Sequence, residues 1–183
     1  RGYLRYLDPT YLGAEGKIED IFNQNESYTS ISTLYRPSQN LSISLASDIT
    51  SATMFSERES FATPTRITSQ SAIAAKLISE QFISTASLLY TQTFESTKIG
   101  NPANNKSKLS PHLSLSFKPF QDINLRIRSF YKNSFRIPTF NDLYYPSVGS
   151  RVLKPEDASQ YNIGLTHSTS INGLMPLLKF TLD

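Results

Sequence analysis

The chain contains no cysteine and no tryptophan, and only two of its 183 residues are histidine. Without cysteine it has no disulfide bonds and no cysteine-ligated metal sites, although the cellular compartment stays open. No apolar run reaches the length of about 18 residues that a transmembrane helix requires. Charge is also scarce, at 18% of residues with a formal net charge of +3. Because like charges do not cluster in long runs, the composition does not indicate nucleic-acid binding.

The chain is rich instead in segments that alternate between apolar and polar residues. NLSISLASDI (residues 40–49) places leucine and isoleucine on one face, with serine and aspartate on the other. HLSLSFK (112–118), DINLRIRSFY (122–131) and YNIGLTH (161–167) alternate in the same way. A period of two residues predicts half-buried β-strands. Further strands are predicted at residues 27–36, 66–79, 82–95 and 177–183, with a partial strand at 3–7.

The predicted connections alternate between short and long. Short ones follow residues 36, 79, 118 and 171, whereas polar links of a dozen or more residues are predicted at 8–26, 51–65, 96–108 and 133–159. An antiparallel sheet joined in this way has short turns at one end and long loops at the other, which is typical of outer-membrane β-barrels. Soluble antiparallel sandwiches alternate too, so periodicity alone leaves both architectures open.

One segment carries a family resemblance. FYKNSFRIPTFNDLYYPSVGSRVLKPEDASQYNIGL (130–165) resembles TonB-dependent outer-membrane receptors, which have an aromatic-Arg-x-Pro segment, an Asx-acidic-Leu-Tyr turn and a Gly-x-x-x-Leu-x-Pro-Glu piece before a strand with Tyr and Gly. KLSPHLSLSFKP (108–119) looks like the strand just upstream of it. The resemblance is specific over residues 108–183 and only topological over 1–107. The matching residues are Phe135, Arg136, Pro138, Asn141, Asp142, Leu143, Tyr144, Gly149, Leu153, Pro155, Glu156, Tyr161 and Gly164.

The resemblance implies an all-β fold, in which residues 1–183 are a partial barrel domain of antiparallel up-and-down strands. About eight or nine of the roughly 22 strands of such a transmembrane β-barrel are expected here. The chain starts in mid-pattern, so we expect an internal piece of a larger protein or a processed product, with the plug domain and the last strands elsewhere. Open strand edges would favour self-association of an isolated section.

The function implied is import of a scarce nutrient across the bacterial outer membrane, with siderophore-iron, haem or cobalamin favoured over glycan. The expected partners are the small nutrient ligand, outer-membrane lipid and the TonB complex acting through the plug. The alternative is a soluble all-β binding or adhesion module whose long loops form the contact surface. Residues expected to contact ligand are Arg136, Asp142, Tyr144, Tyr145 and Arg151, and those expected to face the lumen or plug are Asn124, Arg126 and Arg128.

Other chemistry is not expected. No arrangement of residues indicates an enzyme, a resident cofactor or a metal site, and His112 and His167 fall on different predicted strands. Most of the segment 134–156 is expected to be architectural, as a short helical turn capped by Asn141 or Asp142. Its apolar residues are expected to pack on the strand ends. These residues are Phe135, Phe140, Leu143 and Tyr144.

Overall fold

The computed structural model describes the backbone of residues 2–13, 16–146, 148–171 and 175–182, and the side chains of 21–146, 148–169 and 179–182. These residues form one antiparallel sheet of nine strands in chain order, which confirms the predicted all-β, up-and-down fold. The strands are β1 (Gly2–Gly13), β2 (Gly16–Tyr35), β3 (Leu41–Ser56), β4 (Pro64–Ile78), β5 (Phe82–Thr97), β6 (Lys106–Phe117), β7 (Leu125–Arg136), β8 (Glu156–Ile171) and β9 (Met175–Leu182), with a helical turn α1 (Phe140–Tyr144) between β7 and β8.

The strand register separates an apolar face from a polar face. Leu45 lies opposite Ile73, which in turn lies opposite Leu88. Because side chains alternate across a strand, a single register keeps the apolar residues of successive strands together. Large side chains of this apolar face are exposed on most strands. They include Ile31, Leu45, Ile73, Leu88, Leu113, Ile163 and Phe180.

The opposite, polar face is lined by small and hydrogen-bonding side chains. Asp48 accepts a hydrogen bond from Ser30 on the neighbouring strand (2.5 Å), and Gln70 donates one to Thr91 (3.3 Å). Pairs of this kind stabilise neighbouring strands where the surroundings are polar. The described sheet is open, because β1 and β9 form its two edges without pairing to each other.

At one edge of the sheet the connections are residues 57–63, 98–105 and 137–155, and we call this edge the long-loop end. At the other edge the connection 118–124, which was predicted to be short, has as many residues as 57–63. The predicted long link at 8–26 is wrong, because β1 runs to Gly13 and β2 starts at Gly16. Backbone pairing does not require apolar side chains, so the polar stretch before Ser27 continues the strand.

The buried core lies at the long-loop end. It joins polar-face side chains of β2 and β3 to residues of all three long connections. The loop 137–155, called the β7–β8 loop below, therefore folds over the polar face of the sheet. The buried residues are Phe22, Ala52, Met54, Phe61, Ala62, Ala103, Phe140, Leu143 and Tyr144. A search of the described residues for a helix long and apolar enough to cross a membrane finds none.

Candidate ligand-binding surface at the long-loop end

The β7–β8 loop begins with a capped helical turn. Thr139 is the N-cap of α1, and its hydroxyl oxygen accepts a hydrogen bond from the Asp142 backbone N–H (3.2 Å). The Asp142 carboxylate accepts in return from the Thr139 backbone N–H (2.7 Å) and hydroxyl (2.8 Å). This capping box satisfies backbone groups that a helix start leaves unpaired. The predicted cap at Asn141 or Asp142 is therefore corrected to Thr139, with Asp142 as its reciprocal partner.

Hydrogen bonding sets the charge state of Asp142. The backbone hydrogen bond from Thr139, followed by that from its side chain, lowers the pKa of Asp142 below its ordinary value. An ionised carboxylate accepts these bonds better than a protonated one, so folding of the turn favours the anion.

A buried ion pair anchors the turn to the sheet. Arg66 on β4 lies directly opposite Glu95 on β5, and its Nε donates to the Glu95 carboxylate at 2.5 Å. The Arg66 and Glu95 side chains are only 12% and 2% exposed. Arg66 Nη1 also donates to the Pro138 carbonyl oxygen (2.9 Å), and its guanidinium lies 4.9 Å from the centre of the Phe140 ring. One guanidinium thus links two strands to the β7–β8 loop by charge, hydrogen bond and cation–π contact.

Tyr144 links the same loop to the β5–β6 connection. Its hydroxyl accepts a hydrogen bond from the Ala103 backbone N–H (2.8 Å) and lies 3.4 Å from a Glu95 carboxylate oxygen, to which it donates. Burial is the largest of the effects that raise the pKa of Tyr144 above its ordinary value. Only 6% of Tyr144 is exposed. Its observed contacts are structural, and its contact with a ligand stays a prediction.

Arg151 is held by a backbone carbonyl and an aromatic ring. Its Nη1 donates to the Asn101 carbonyl oxygen (2.7 Å), and its guanidinium lies 5.4 Å from the centre of the Tyr144 ring. Gly100 has a positive φ of 74°, and a Cβ there would lie 2.8 Å from Arg151 Nη1. Glycine at position 100 therefore provides both the left-handed backbone and the room for the guanidinium.

The predicted ligand residues line two separate cavities. Tyr144, Tyr145 and Arg151 line one of about 330 Å³ between the loop 57–63 and the β7–β8 loop. Arg136 and Asp142 line another of about 210 Å³ beside the start of β8. Arg136 is paired with Glu156 at 3.0 Å, and both side chains are largely exposed. The ring of Tyr145 packs against Phe22 with centroids 5.5 Å apart.

The residues expected to face the lumen or plug lie away from this end. Arg126 and Arg128 are on the polar face of β7, opposite Thr166 and Gly164 of β8. Asn124 lies just before β7, and its side-chain amide donates to the Ser168 hydroxyl at 2.5 Å. In a closed barrel with lipid outside, the polar face is the inner wall. That these three residues face a lumen or a plug stays a prediction.

The two histidines do not form a site together. His112 is on the polar face, where it lies opposite Lys132, whereas His167 shares the apolar face with Phe180. Among the described residues no group of three or more His, Asp or Glu side chains is arranged to hold a metal ion.

Sequence reasoning missed the pairing of Arg66 with Glu95. Both are charged residues on predicted strands, but their common environment depends on the register between those strands. A usable signal was present, since the short turn places Ile78 opposite Ile83 and counting back along both strands puts Arg66 opposite Glu95. Arg58, which lines the larger cavity, was not among the residues expected to contact ligand.

Comparison with known proteins gives consistent similarities. The family described as TonB dependent receptor-like, beta-barrel matches residues 77–182, more than half of the chain. The Vitamin B12 transporter BtuB of Photobacterium profundum is 43% identical over 42 residues, which are 23% of this chain and 7% of that protein.

A solved structure is similar in fold. It is a double mutant of the Serratia marcescens hemophore receptor HasR, in complex with its hemophore HasA and heme. The superposition has a TM-score of 0.61 with 11% sequence identity, over 89% of this chain and 32% of HasR. At this identity the similarity shows the fold alone. The chain spans about a third of that receptor's length.

Proposed function

Because this chain belongs to the TonB-dependent receptor-like β-barrel family, we propose that it forms part of the wall of an outer-membrane receptor that imports a scarce nutrient. The observation that carries the proposal is the two-faced sheet, with exposed apolar side chains opposite a polar face. Lipid cannot hydrogen-bond the backbone, so a spanning sheet must satisfy it between strands and present apolar side chains outward. The long loops would then face the exterior and meet the ligand.

Siderophore-iron, haem and cobalamin are the proposed ligand classes, in preference to glycan. Support comes from the local identity with a vitamin B12 transporter. The similarity to a hemophore receptor supports only the fold. Energy would come from the TonB complex acting through a plug domain elsewhere in the protein. Binding of cyanocobalamin, haemin and a set of ferric siderophores to the complete receptor, followed by uptake in cells with and without TonB, tests this part. Ligand binding with TonB-independent uptake would contradict the proposed energy source.

A pair of neighbouring substitutions tests the orientation of the sheet. Leu88 is on the apolar face and Ser87 on the polar face of the same strand. Placing Arg at a lipid-facing position near the bilayer centre costs about 2–4 kcal/mol, whereas a position facing the lumen tolerates it. We expect Leu88→Arg, but not Ser87→Arg, to reduce insertion of the complete receptor into lipid vesicles, read as loss of the heat-sensitive shift of the folded barrel in electrophoresis.

The outcome that contradicts the membrane assignment is equally definite. The membrane assignment would be contradicted if the parent protein fractionated as a soluble monomer without detergent. It would also be contradicted if Ser87→Arg reduced membrane insertion as much as Leu88→Arg. The soluble binding-module alternative would then take its place.

A further inference from the structure

The apolar face of β6, β7 and β8 changes its chemistry over three rows of side chains. In the row farthest from the long-loop end, Leu115, Ser129 and Ile163 lie opposite one another. Leu115 and Ile163 are 40% and 73% exposed. Large exposed apolar side chains on the outer face of a spanning sheet favour contact with the hydrocarbon of a bilayer.

Two tyrosines form the next row towards the long-loop end. Tyr131 and Tyr161 lie opposite each other on β7 and β8, with ring centroids 4.9 Å apart and an interplanar angle of 36°. Tyr161 is 77% exposed. A tyrosine has an apolar ring and a hydroxyl group that forms hydrogen bonds, so it suits the level at which hydrocarbon meets water. We call these two residues the tyrosine pair.

Beyond the tyrosine pair the same face is polar and charged. Asn133 lies opposite Ser159, and its side-chain amide donates to the Asp157 carboxylate (2.7 Å) and to the Ser159 hydroxyl (3.4 Å). Asp157 also forms an ion pair with Lys108, and the two side chains are 44% and 31% exposed. Phe135, opposite Asp157, is half-buried. Moving an ion pair out of water is costly, so this level does not suit acyl chains. We call Lys108, Asn133, Asp157 and Ser159 the polar cluster.

A groove runs from the tyrosine pair into the apolar row. It has a volume of about 420 Å³, and its lining includes the tyrosine pair, Leu115, Ser129 and Ile163. The small side chain of Ser129 lies between two larger apolar ones, which leaves room over β7. The surface is therefore apolar in the groove, aromatic at its end and charged beyond, which is the order of groups along a membrane lipid.

We propose that this surface binds membrane lipid at the exterior boundary of the hydrocarbon. An acyl chain occupies the groove over Ser129, the tyrosine pair lies at the boundary, and a lipid headgroup contacts the polar cluster. The inference rests on the proposed function for the bilayer around the apolar face, and adds where that bilayer ends.

This position determines how far the long-loop end projects from the membrane. Five residues separate Tyr131 from Arg136, where β7 ends. At about 3.4 Å per residue and a strand tilt of about 45°, they span a height of ~12 Å. The β7–β8 loop then stands clear of the acyl chains, where dissolved ligand can reach it.

The level of the boundary is tested with the complete receptor in phosphatidylcholine vesicles, after replacement of any other cysteine. Spin labels are attached singly through Ile163→Cys, Ser159→Cys, Gln160→Cys and Leu88→Cys. Electron paramagnetic resonance then compares collisions with oxygen, which concentrates in hydrocarbon, and with a nickel chelate, which stays in water. We expect oxygen to dominate at residue 163 and nickel at 159, a depth difference of ~10 Å over four residues. Gln160, on the polar face opposite Lys132, is the control and should show no preference for oxygen.

Occupancy of the groove is tested in the same vesicles with a phosphatidylcholine that carries a diazirine on its acyl chain. We expect photochemical cross-links to the β7 peptide in the wild type. Ser129→Phe fills the groove and should lose most of them. Ser84→Phe is the matched control, because Ser84 lies on the apolar face of β5 opposite Leu115, two strands from β7, and should leave these cross-links unchanged.

Two results would overturn the proposal. One is oxygen dominance at residue 159, which places the polar cluster within the hydrocarbon, and the other is undiminished cross-linking of β7 in Ser129→Phe. The heat-sensitive electrophoretic shift of each variant shows that it is folded. Nickel dominance at residue 163 with oxygen dominance at 88 would remove only this site, whereas nickel dominance at both would remove the membrane assignment itself.

Discussion

Replacing Arg66 by alanine tests how the β7–β8 loop is held to the sheet. The substitution removes the 2.5 Å bond to Glu95, the bond to the Pro138 carbonyl and the cation–π contact with Phe140. It also leaves the Glu95 carboxylate, whose side chain is 2% exposed, without its cation. Removing one partner of a buried ion pair costs about 3–5 kcal/mol. Since Arg66 keeps some contact with solvent, we take the lower end, about 3 kcal/mol.

The loss should appear first as local opening of the loop. A decrease of about 3 kcal/mol in the opening free energy corresponds to roughly a 100-fold faster amide exchange. The amides to follow by hydrogen–deuterium exchange are those that donate inside the loop. They include those of Leu143, Tyr145, Gly149, Ser150 and Leu153.

Two further variants make this result interpretable. Arg36→Ala should leave exchange of the loop unchanged, because residue 36 lies beyond the opposite end of β2. The double replacement Arg66→Met with Glu95→Leu should recover much of the protection, since it removes both buried charges and keeps apolar volume. If Arg66→Ala exchanges at the wild-type rate, the apolar cluster alone holds the loop and our reasoning about the ion pair is refuted.

Three further predictions concern the same loop. Thr139→Ala should destabilise the turn by about 1 kcal/mol through loss of the N-cap, measured by the same exchange experiment. Because the pKa of Asp142 is lowered from 3.8, its stabilising contribution is present above that value and lost as the pH falls through the lower folded value. Exchange corrected for its intrinsic rate should therefore accelerate in acid for the wild type but not for Asp142→Asn, and equal acceleration in both would contradict this. Tyr144→Phe should cost about 1–3 kcal/mol because the Ala103 N–H loses its partner. Since burial raises the pKa of Tyr144 above 10.0, this stability should decline as the pH rises past that value, and the tyrosinate absorbance titration should lose one step above that pH in the variant.

Strand type and face polarity were predictable because they depend on local sequence. Alternation in residues 40–49 placed Leu45 and Asp48 on opposite faces, and the register confirms it. A period of two residues acts through the geometry of the extended backbone, so it needs no knowledge of distant contacts. The same locality explains the error at residues 8–26, where polar composition indicated a loop although pairing with β1 and β3 made it strand.

The candidate site was only partly accessible to such reasoning. Sequence indicated that Phe140, Leu143 and Tyr144 would pack the loop onto the strand ends, and all three are buried. It did not indicate that Phe22, more than a hundred residues earlier, is part of the same cluster. Phe135, predicted with them, is outside the buried core, since it lies on the apolar face of β7 opposite Asp157.

The sequence by itself therefore determined the strands, their two faces, the long-loop end and the family resemblance. Each of these depends on neighbouring residues in the chain or on short motifs. The tertiary structure alone decided which loops meet. It buried Tyr144 and left Arg151 lining a cavity with Arg58. The physical reason is that burial depends on distances between segments far apart in sequence, which only the folded sheet brings together.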